Sequence, residues 1–191
     1  MSKRRVFVVG VSAFIGGGKD YIADILVDKY GFYKVSPGDI TREIMKRAGA
    51  KITREAQEKL TKGYIEKYGK DFVMELCYKK IISSKKDKIV VPGIRYPNDA
   101  MFYKKKLDGD FVNIFVDAPR KIRYKRLISR KREDVPDSYS DFLKQDTAQQ
   151  ERYDLKSTRK ISDFRLNNGR NESKKLIKSL EKILTENNVR F

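Results

Sequence analysis

The chain has 191 residues, 39% of them hydrophobic and 37% charged, which is typical of one compact globular domain with a heavily solvated surface. It contains no histidine, and this excludes histidine-dependent acid–base, triad and metal mechanisms. The formal net charge of +18 favours anionic partners such as nucleotides, nucleic acid or acidic lipid. Because the lysines are spread along the chain among acidic residues, the charge alone does not choose between these partners.

The chain begins with a basic stretch followed by a short apolar run, MSKRRVFVVGV. This pattern fits either a signal peptide or a buried first strand, and we predict a strand because the apolar run is short and leads directly into glycines. No stretch approaches the roughly 20 apolar residues of a membrane span, so we expect no membrane partner. The one cysteine, Cys77, rules out an internal disulfide and fits a reducing, cytoplasmic location.

A glycine-rich loop follows the first strand and leads into an amphipathic helix. Three glycines precede a lysine, as in loops whose backbone amides surround phosphate at a helix N-terminus. Here Ala13 stands at the usual first glycine, and Asp20 at the usual serine or threonine. Asp20 is either a plain helix cap or a charged oxygen ligand for Mg²⁺. We predict that ATP is bound by Phe14, Ile15, Gly16, Gly17, Gly18, Lys19, Asp20 and Tyr21.

The segment GKD followed by xxAD in the next helix resembles the deoxynucleoside monophosphate kinases of phage type, and also phosphomevalonate kinases. Both families carry aspartate after the lysine. The resemblance implies ATP and Mg²⁺ as cofactors, with Lys19 in a catalytic role on the outer phosphates and Asp20 as the metal ligand.

A second short strand, FYKVS, and a helix that starts near Pro37 come next. The stretch KVSPGDITREI resembles the serine/threonine–x–glycine–aspartate–x–x–arginine motif of adenylate kinases. That match implies that Ser36 and Asp39 face the acceptor nucleotide and that Arg42 clamps its phosphate. The alternative from the residues alone is that Asp39 caps the helix and Arg42 lies on a solvated face.

Residues 53–84 are predicted to be helical, with breaks near Gly63 and Gly69. The third strand, DKIVVPGI, is followed by an arginine in IVVPGIRYPNDA, and by the same resemblance Arg95 is a second clamp on the acceptor phosphate. Two arginines from different elements can hold one phosphate and orient it for in-line attack. Many relatives carry an acidic residue near the end of this strand, where this chain has Pro92, and Asp20 is therefore left as the main candidate for Mg²⁺.

The fourth strand, DFVNIFVDA, leads into a strongly basic helix. Its end, YKRLISRKRED, resembles the helix that enters the lid of these kinases. The resemblance implies that Arg126 lies beside the adenine and that Arg130 reaches the phosphates, with Arg132 a further candidate. A solvated basic helix remains the alternative for Lys121, Arg123, Lys125 and Lys131.

A fifth strand and turn, FRLNNG, precede the closing amphipathic helix. The turn resembles the one whose backbone reads adenine in related kinases, which adds Asn168 and Gly169 to the predicted ATP site. Alternation of strands and helices indicates a parallel sheet that is covered on both faces.

Together these features predict an α/β fold, the three-layer sandwich of P-loop NTPases with a parallel five-stranded sheet. We predict one domain over 1–191, with a core of 1–36, 85–130 and 153–191. A helical acceptor-binding insertion spans 37–84, and a short lid spans 131–152. The expected function is ATP- and Mg²⁺-dependent phosphoryl transfer to a nucleoside or deoxynucleoside monophosphate, with Lys19, Arg42, Arg95 and Arg130 as catalytic residues.

Two alternatives remain open at this stage. One is a kinase of another small phosphorylated metabolite, such as dephospho-coenzyme A or phosphomevalonate. The other is a nucleic-acid-associated P-loop ATPase, which the spread of the lysines does not favour. The oligomeric state is left undetermined by the sequence.

Overall fold

The computed structural model describes residues 5–50, 53–129, 135–169 and 173–189. These residues form five strands: β1 (Phe7–Ala13), β2 (Tyr33–Lys34), β3 (Lys88–Pro92), β4 (Phe111–Asp117) and β5 (Phe164–Asn167). The helices of the described residues are α1 (Lys19–Tyr30), α2 (Pro37–Arg47), α3 (Arg54–Tyr68), α4 (Phe72–Ser83), α5 (Pro97–Leu107), α6 (Arg120–Ser129), α7 (Tyr139–Arg152), α8 (Leu155–Ile161) and α9 (Ser173–Glu186).

The five strands make one sheet in the order β2-β3-β1-β4-β5, and every neighbouring pair is parallel. Strand β1 is central, and its Val9 pairs with Val90 on one side and Val112 on the other. Parallel strands place all their carboxyl ends at one edge of the sheet, where ligands of open α/β folds bind. The predicted parallel five-stranded sheet is therefore confirmed.

Helices cover both faces of the sheet, because alternate strand residues point to opposite sides. Val9 and Val11 pack in one core with the apolar faces of α1 and α9. Val8 packs in the second core, with residues of α2, α4 and α5. These two cores confirm the predicted three layers.

One predicted helix break is wrong, and one predicted strand is too long. Helix α3 runs without interruption through Gly63, so the predicted break there is wrong; glycine inside a helix costs only about 1 kcal/mol relative to alanine. The break near Gly69 is confirmed, because this residue ends α3 with φ at 93°. Strand β2 comprises two residues rather than the five of FYKVS.

Helix α7 occupies most of the predicted lid, residues 131–152. Its N-terminus is capped by Ser138, whose hydroxyl accepts from the backbone N–H of Asp141 at 3.1 Å. Phe142, Asp146 and Gln150, four residues apart, are buried and so form one packed face. The division into core, insertion and lid stays a prediction. None of the helices in the described ranges combines the length and apolar character of a membrane span.

Candidate functional site

The glycine-rich loop connects β1 to α1 at the carboxyl edge of the sheet. Gly16 and Gly18 adopt left-handed backbone conformations, with φ at 73° and 101°, which side-chain-bearing residues adopt only at a cost. The backbone N–H of Gly17 donates to the carbonyl of Phe14 at 2.9 Å, which closes the loop on itself. A Cβ at Gly16 would lie 2.6 Å from the backbone oxygen of Arg123, so the loop also packs tightly against α6.

Replacing Gly18 by alanine is expected to destabilise the loop. The left-handed φ of Gly18 strains any side chain, and an added Cβ would overlap the side-chain amide of Asn168. We expect Gly18→Ala to lower the free energy of unfolding in urea by about 1–3 kcal/mol.

The matched control is the same substitution at Gly63, which lies inside α3 and where an added Cβ would meet nothing within 4 Å. There the change should raise the free energy of unfolding by about 0.4–1 kcal/mol, because the unfolded chain loses freedom and the helix gains propensity. Equal effects of the two substitutions would contradict the packed loop.

Lys19 and Asp20 begin α1 directly after the loop. The Lys19 Nζ lies 2.7 Å from both carboxylate oxygens of Asp20, and the two side chains are partly exposed. A cation and a hard oxygen donor therefore stand side by side where the helix dipole favours anions. Mg²⁺ commonly takes one or two protein carboxylates and completes its shell with phosphate oxygens and water, so this donor set fits the predicted metal role of Asp20.

The turn after β5 contacts the glycine-rich loop directly. The Asn168 Nδ2 donates to the Gly17 carbonyl at 3.0 Å, and the Arg126 Nη2 donates to the Asn168 carbonyl at 2.7 Å. A Cβ at Gly169 would lie 2.5 Å from the Pro119 ring, which shows how closely the two loops approach. The predicted ATP residues at 126, 168 and 169 thus lie together with the loop.

The remaining predicted ATP residues fall into different settings. Phe14 packs edge-on against Phe115, with ring centroids 4.9 Å apart, and the Ile15 carbonyl accepts from α6. Tyr21 is 43% exposed in the first turn of α1. Arg130 and Arg132 lie outside the described residues.

The first predicted acceptor group lies at the N-terminus of α2. Ser36 caps this helix by accepting from the backbone N–H of Asp39 at 3.4 Å. Asp39 also forms an ion pair with Arg42, and both side chains are about half exposed. The three predicted acceptor residues of this motif therefore stand in one contact group, and its guanidinium is open to solvent.

Arg95, the second predicted clamp, follows β3 and is held by neighbouring helices. Its backbone N–H donates to the buried carboxylate of Asp99 at 3.0 Å, and its carbonyl accepts from the Thr158 hydroxyl at 2.7 Å. Burial raises the pKa of Asp99, an effect that the backbone N–H donors of Arg95 and Tyr96 oppose. The Arg95 guanidinium lies 4.8 Å over the Tyr153 ring, a geometry in which cation–π attraction orients the charge.

A buried ion pair between α6 and α7 was missed by the sequence reasoning. Arg123, 3% exposed, pairs with the fully buried Asp146 through two contacts of 2.6 and 2.9 Å. The same guanidinium donates to the carbonyls of Ile15 at 2.9 Å and Ala118 at 3.0 Å. It therefore links α7 to the backbone of the glycine-rich loop, and the interpretation of Arg123 as a solvated helix residue is wrong.

Comparison with known proteins places the chain in a family. An AAA domain profile matches residues 14–143. A UPF0200 protein of Methanothermobacter thermautotrophicus is 32% identical over 139 residues, which cover 73% of this chain and 70% of that protein. The chain belongs to the UPF0200 family. A UPF0200/UPF0201 protein of Archaeoglobus fulgidus is 32% identical over 168 residues, 85% of this chain, and the chain spans about half of its length (51%).

Solved structures share the fold at much lower identity. A shikimate kinase from Bacteroides thetaiotaomicron superposes with a TM-score of 0.59 at 12% identity, over 94% of this chain and 97% of that enzyme. Together with the domain match, this likeness confirms the P-loop kinase-like α/β fold predicted from the sequence. At that identity the likeness is one of fold, and it does not distinguish a nucleoside monophosphate acceptor from another.

Proposed function

We propose that this protein transfers the γ-phosphoryl group of ATP, with Mg²⁺, to a nucleoside or deoxynucleoside monophosphate. The observation that supports this most is a coincidence of strand order and residue type. Three adjacent strands, β2, β3 and β1, are followed by Ser36 with its arginine motif, by Arg95 and by the glycine-rich loop. Phosphate-binding residues for a donor and for an acceptor thus follow strand ends at one edge of the sheet.

On the donor side, the loop backbone and Lys19 hold the polyphosphate. Left-handed glycines at 16 and 18 let the chain turn so that amides at the start of α1 face phosphate oxygens. Lys19 adds a mobile cation that exchanges its contact with Asp20 for the outer phosphates. Arg126, held by its hydrogen bond to the Asn168 carbonyl, lies beside the adenine base of ATP.

Asp20 holds the metal in this proposal. Bound Mg²⁺ would supply positive charge that neutralises phosphate oxygens during transfer. Asp20 contributes the oxygen that positions the cation, and the neighbouring Lys19 Nζ, 2.7 Å away, balances the carboxylate charge before the nucleotide enters.

On the acceptor side, Arg42 and Arg95 grip the monophosphate. Phosphoryl transfer depends mainly on positioning and on charge neutralisation. Arg42 reaches from α2, where its salt bridge with Asp39 is exposed and is therefore weak enough to be replaced by a phosphate. Arg95 reaches from the β3 loop, where Asp99 and Thr158 fix its backbone.

An ATP-turnover assay against a panel of acceptors tests the proposal. The panel contains nucleoside and deoxynucleoside monophosphates, dephospho-coenzyme A, phosphomevalonate, RNA and single-stranded DNA. Stimulation by one or more nucleoside monophosphates is the expected result. Stimulation by dephospho-coenzyme A or phosphomevalonate alone would show that this metabolite, and not a nucleoside monophosphate, is the acceptor. Stimulation by nucleic acid alone would contradict the kinase assignment.

Arg42→Lys and Arg95→Lys should each weaken the acceptor side without changing the donor side. Lysine keeps the charge but loses the planar fork that binds phosphate through two parallel bonds. We expect the KM for the monophosphate to rise about 10- to 100-fold, while the KM for ATP stays within about twofold.

Arg47→Lys is the matched control, since Arg47 lies exposed in the last turn of α2 and has no role in the proposed clamp. An equal rise of both KM values in either clamp variant, or a similar rise in Arg47→Lys, would speak against these two residues as an acceptor clamp.

A further inference from the structure

A cavity of about 380 Å³ borders the glycine-rich loop at Phe14 and is lined by the ends of β4 and β5 and by residues of α6 and α8. Its charged lining consists of four arginines and one aspartate: Arg120, Arg123, Arg159, Arg165 and Asp117. Phe14 contributes an apolar wall. The proposed donor and acceptor sites make no use of Arg120, Arg159 or Arg165.

The charges of this cavity do not balance. Asp117 pairs with Arg159 at 2.8 Å, and the buried Asp146 behind the wall pairs with both Arg120 and Arg123. Four guanidinium groups against these two carboxylates leave a net charge of about +2. A ligand that enters the cavity and matches it electrostatically would carry two negative charges.

Arg165 carries one of the uncompensated charges. It projects from the edge strand β5, is exposed, and has no ion-pair or hydrogen-bond partner for its guanidinium among the described residues. The guanidinium of Arg159 is held by Asp117 through both carboxylate oxygens, at 3.0 and 2.9 Å. A fixed cation and an uncommitted one therefore line the same cavity.

We propose that this cavity binds a small phosphate monoester, at a site that adjoins the glycine-rich loop through Phe14 but does not use Lys19 or Asp20. A phosphate monoester carries a charge of about −1.5 to −2 at neutral pH, and guanidinium groups bind its oxygens in pairs. The volume lies near the lower end of the roughly 300–1,000 Å³ that small-molecule sites occupy, and Phe14 offers the organic part an apolar surface. This site does not depend on the proposed kinase activity.

Calorimetric titration with glycerol phosphate and with inorganic phosphate tests the site. The titration is done on Lys19→Met protein, so that the glycine-rich loop contributes little phosphate binding. We expect this protein to bind one equivalent of glycerol phosphate, and more tightly than inorganic phosphate. Adding Arg165→Gln should weaken that binding about tenfold or more, and the exposed position of Arg165 leaves the fold intact.

Lys178→Gln in the same background is the control, because it removes one exposed charge from α9 and leaves the cavity unchanged. Equal affinities of the Arg165→Gln and Lys178→Gln proteins would overturn the site. Tighter binding of inorganic phosphate than of the monoester would also overturn the assignment, in favour of free phosphate. The proposed donor site depends on Lys19, whereas the proposed cavity site depends on Arg165. A negative result for one site therefore does not affect the test of the other.

Discussion

Lys19→Met should lower kcat/KM for ATP-dependent phosphoryl transfer by about 100-fold or more, the loss typical of removing one preorganised group that stabilises transition-state charge. Methionine keeps most of the apolar stem of the side chain, one heavy atom shorter, but removes the cation. The expected loss is electrostatic, because Lys19 stands beside Asp20 at the start of α1, where the outer phosphates would lie. Steady-state kinetics with ATP and the preferred monophosphate give the value.

Lys62→Met is the control for this substitution. Lys62 lies on α3 with a side chain that is 80% exposed, and its ion pair with Glu66 spans 3.9 Å. Lys62→Met should leave kcat/KM within about twofold, because Lys62 is not part of the proposed site. It should also leave the fold intact, since exposed ion pairs contribute at most about 1 kcal/mol to stability. A Lys19→Met protein with the rate of the parent would rule out the loop as the donor site.

Asp146→Ala should destabilise the protein by about 3–5 kcal/mol, because it leaves the buried Arg123 guanidinium without its countercharge. Asp146 is fully buried and is bonded by Arg120, Arg123 and Gln150. Urea denaturation measures the loss. Glu151→Ala, an exposed change on the same helix, should alter stability by less than about 0.5 kcal/mol.

Asp146→Ala should also weaken ATP binding, because Arg123, its ion-pair partner, donates to the Ile15 carbonyl in the glycine-rich loop at 2.9 Å. We expect the KM for ATP to rise more than the KM for the monophosphate. An Asp146→Ala protein with unchanged stability and an unchanged KM for ATP would contradict the link between α7 and the loop.

The pH dependence of stability offers a separate check on this ion pair. Burial alone would raise the pKa of Asp146, but the hydrogen bonds and charge of Arg123 outweigh it and lower that pKa. A carboxylate whose pKa is lowered in the folded state stabilises the protein at pH values above its unfolded-state pKa of about 3.9. That stabilisation is lost as the pH falls through the folded-state pKa. The stability gap between the parent and Asp146→Asn should therefore narrow below about pH 4; a constant gap would show that the carboxylate charge is not what stabilises the pair.

Sequence signals located the parts of the molecule whose cause is local. The glycine-rich loop was recognisable because the glycines, the lysine and the flanking apolar strand stand together in the chain. The group of Ser36, Asp39 and Arg42 lies within two helix turns, and the three residues are in contact as their spacing suggests. The alternative that Asp39 caps the helix is wrong, because Ser36 is the cap and Asp39 supplies the backbone N–H that donates to it. The buried strands were also predicted from a local signal, short apolar runs bounded by turn residues.

Local sequence signals do not predict ion pairs between residues that are far apart in the chain. Arg123 and Asp146 are 23 residues apart, and Arg123 stands among basic residues that favour a solvated helix. The available clue was the spacing of Phe142, Asp146 and Gln150, which places them on one face of a helix. An aspartate on a packed helix face needs a partner, but the sequence does not say which of many arginines supplies it.

Glycine shows the same dependence on context. Gly63 continues α3, whereas Gly69, six residues later, ends it with a positive φ. The intrinsic cost of either glycine in a helix is similar; what differs is that the chain turns at Gly69 so that α4 can pack its buried residues Met74 and Cys77 into the second core. That tertiary gain is absent from the local pattern.

Transfer of radiolabel from γ-labelled ATP tests the central claim most directly, because it separates phosphoryl transfer to an acceptor from hydrolysis. The protein is incubated with labelled ATP, Mg²⁺ and each nucleoside or deoxynucleoside monophosphate, and the products are resolved. We predict that label appears in the corresponding diphosphate and that Lys19→Met protein yields almost none. Label that remains in ATP or appears only as inorganic phosphate, with every monophosphate supplied, would contradict the account.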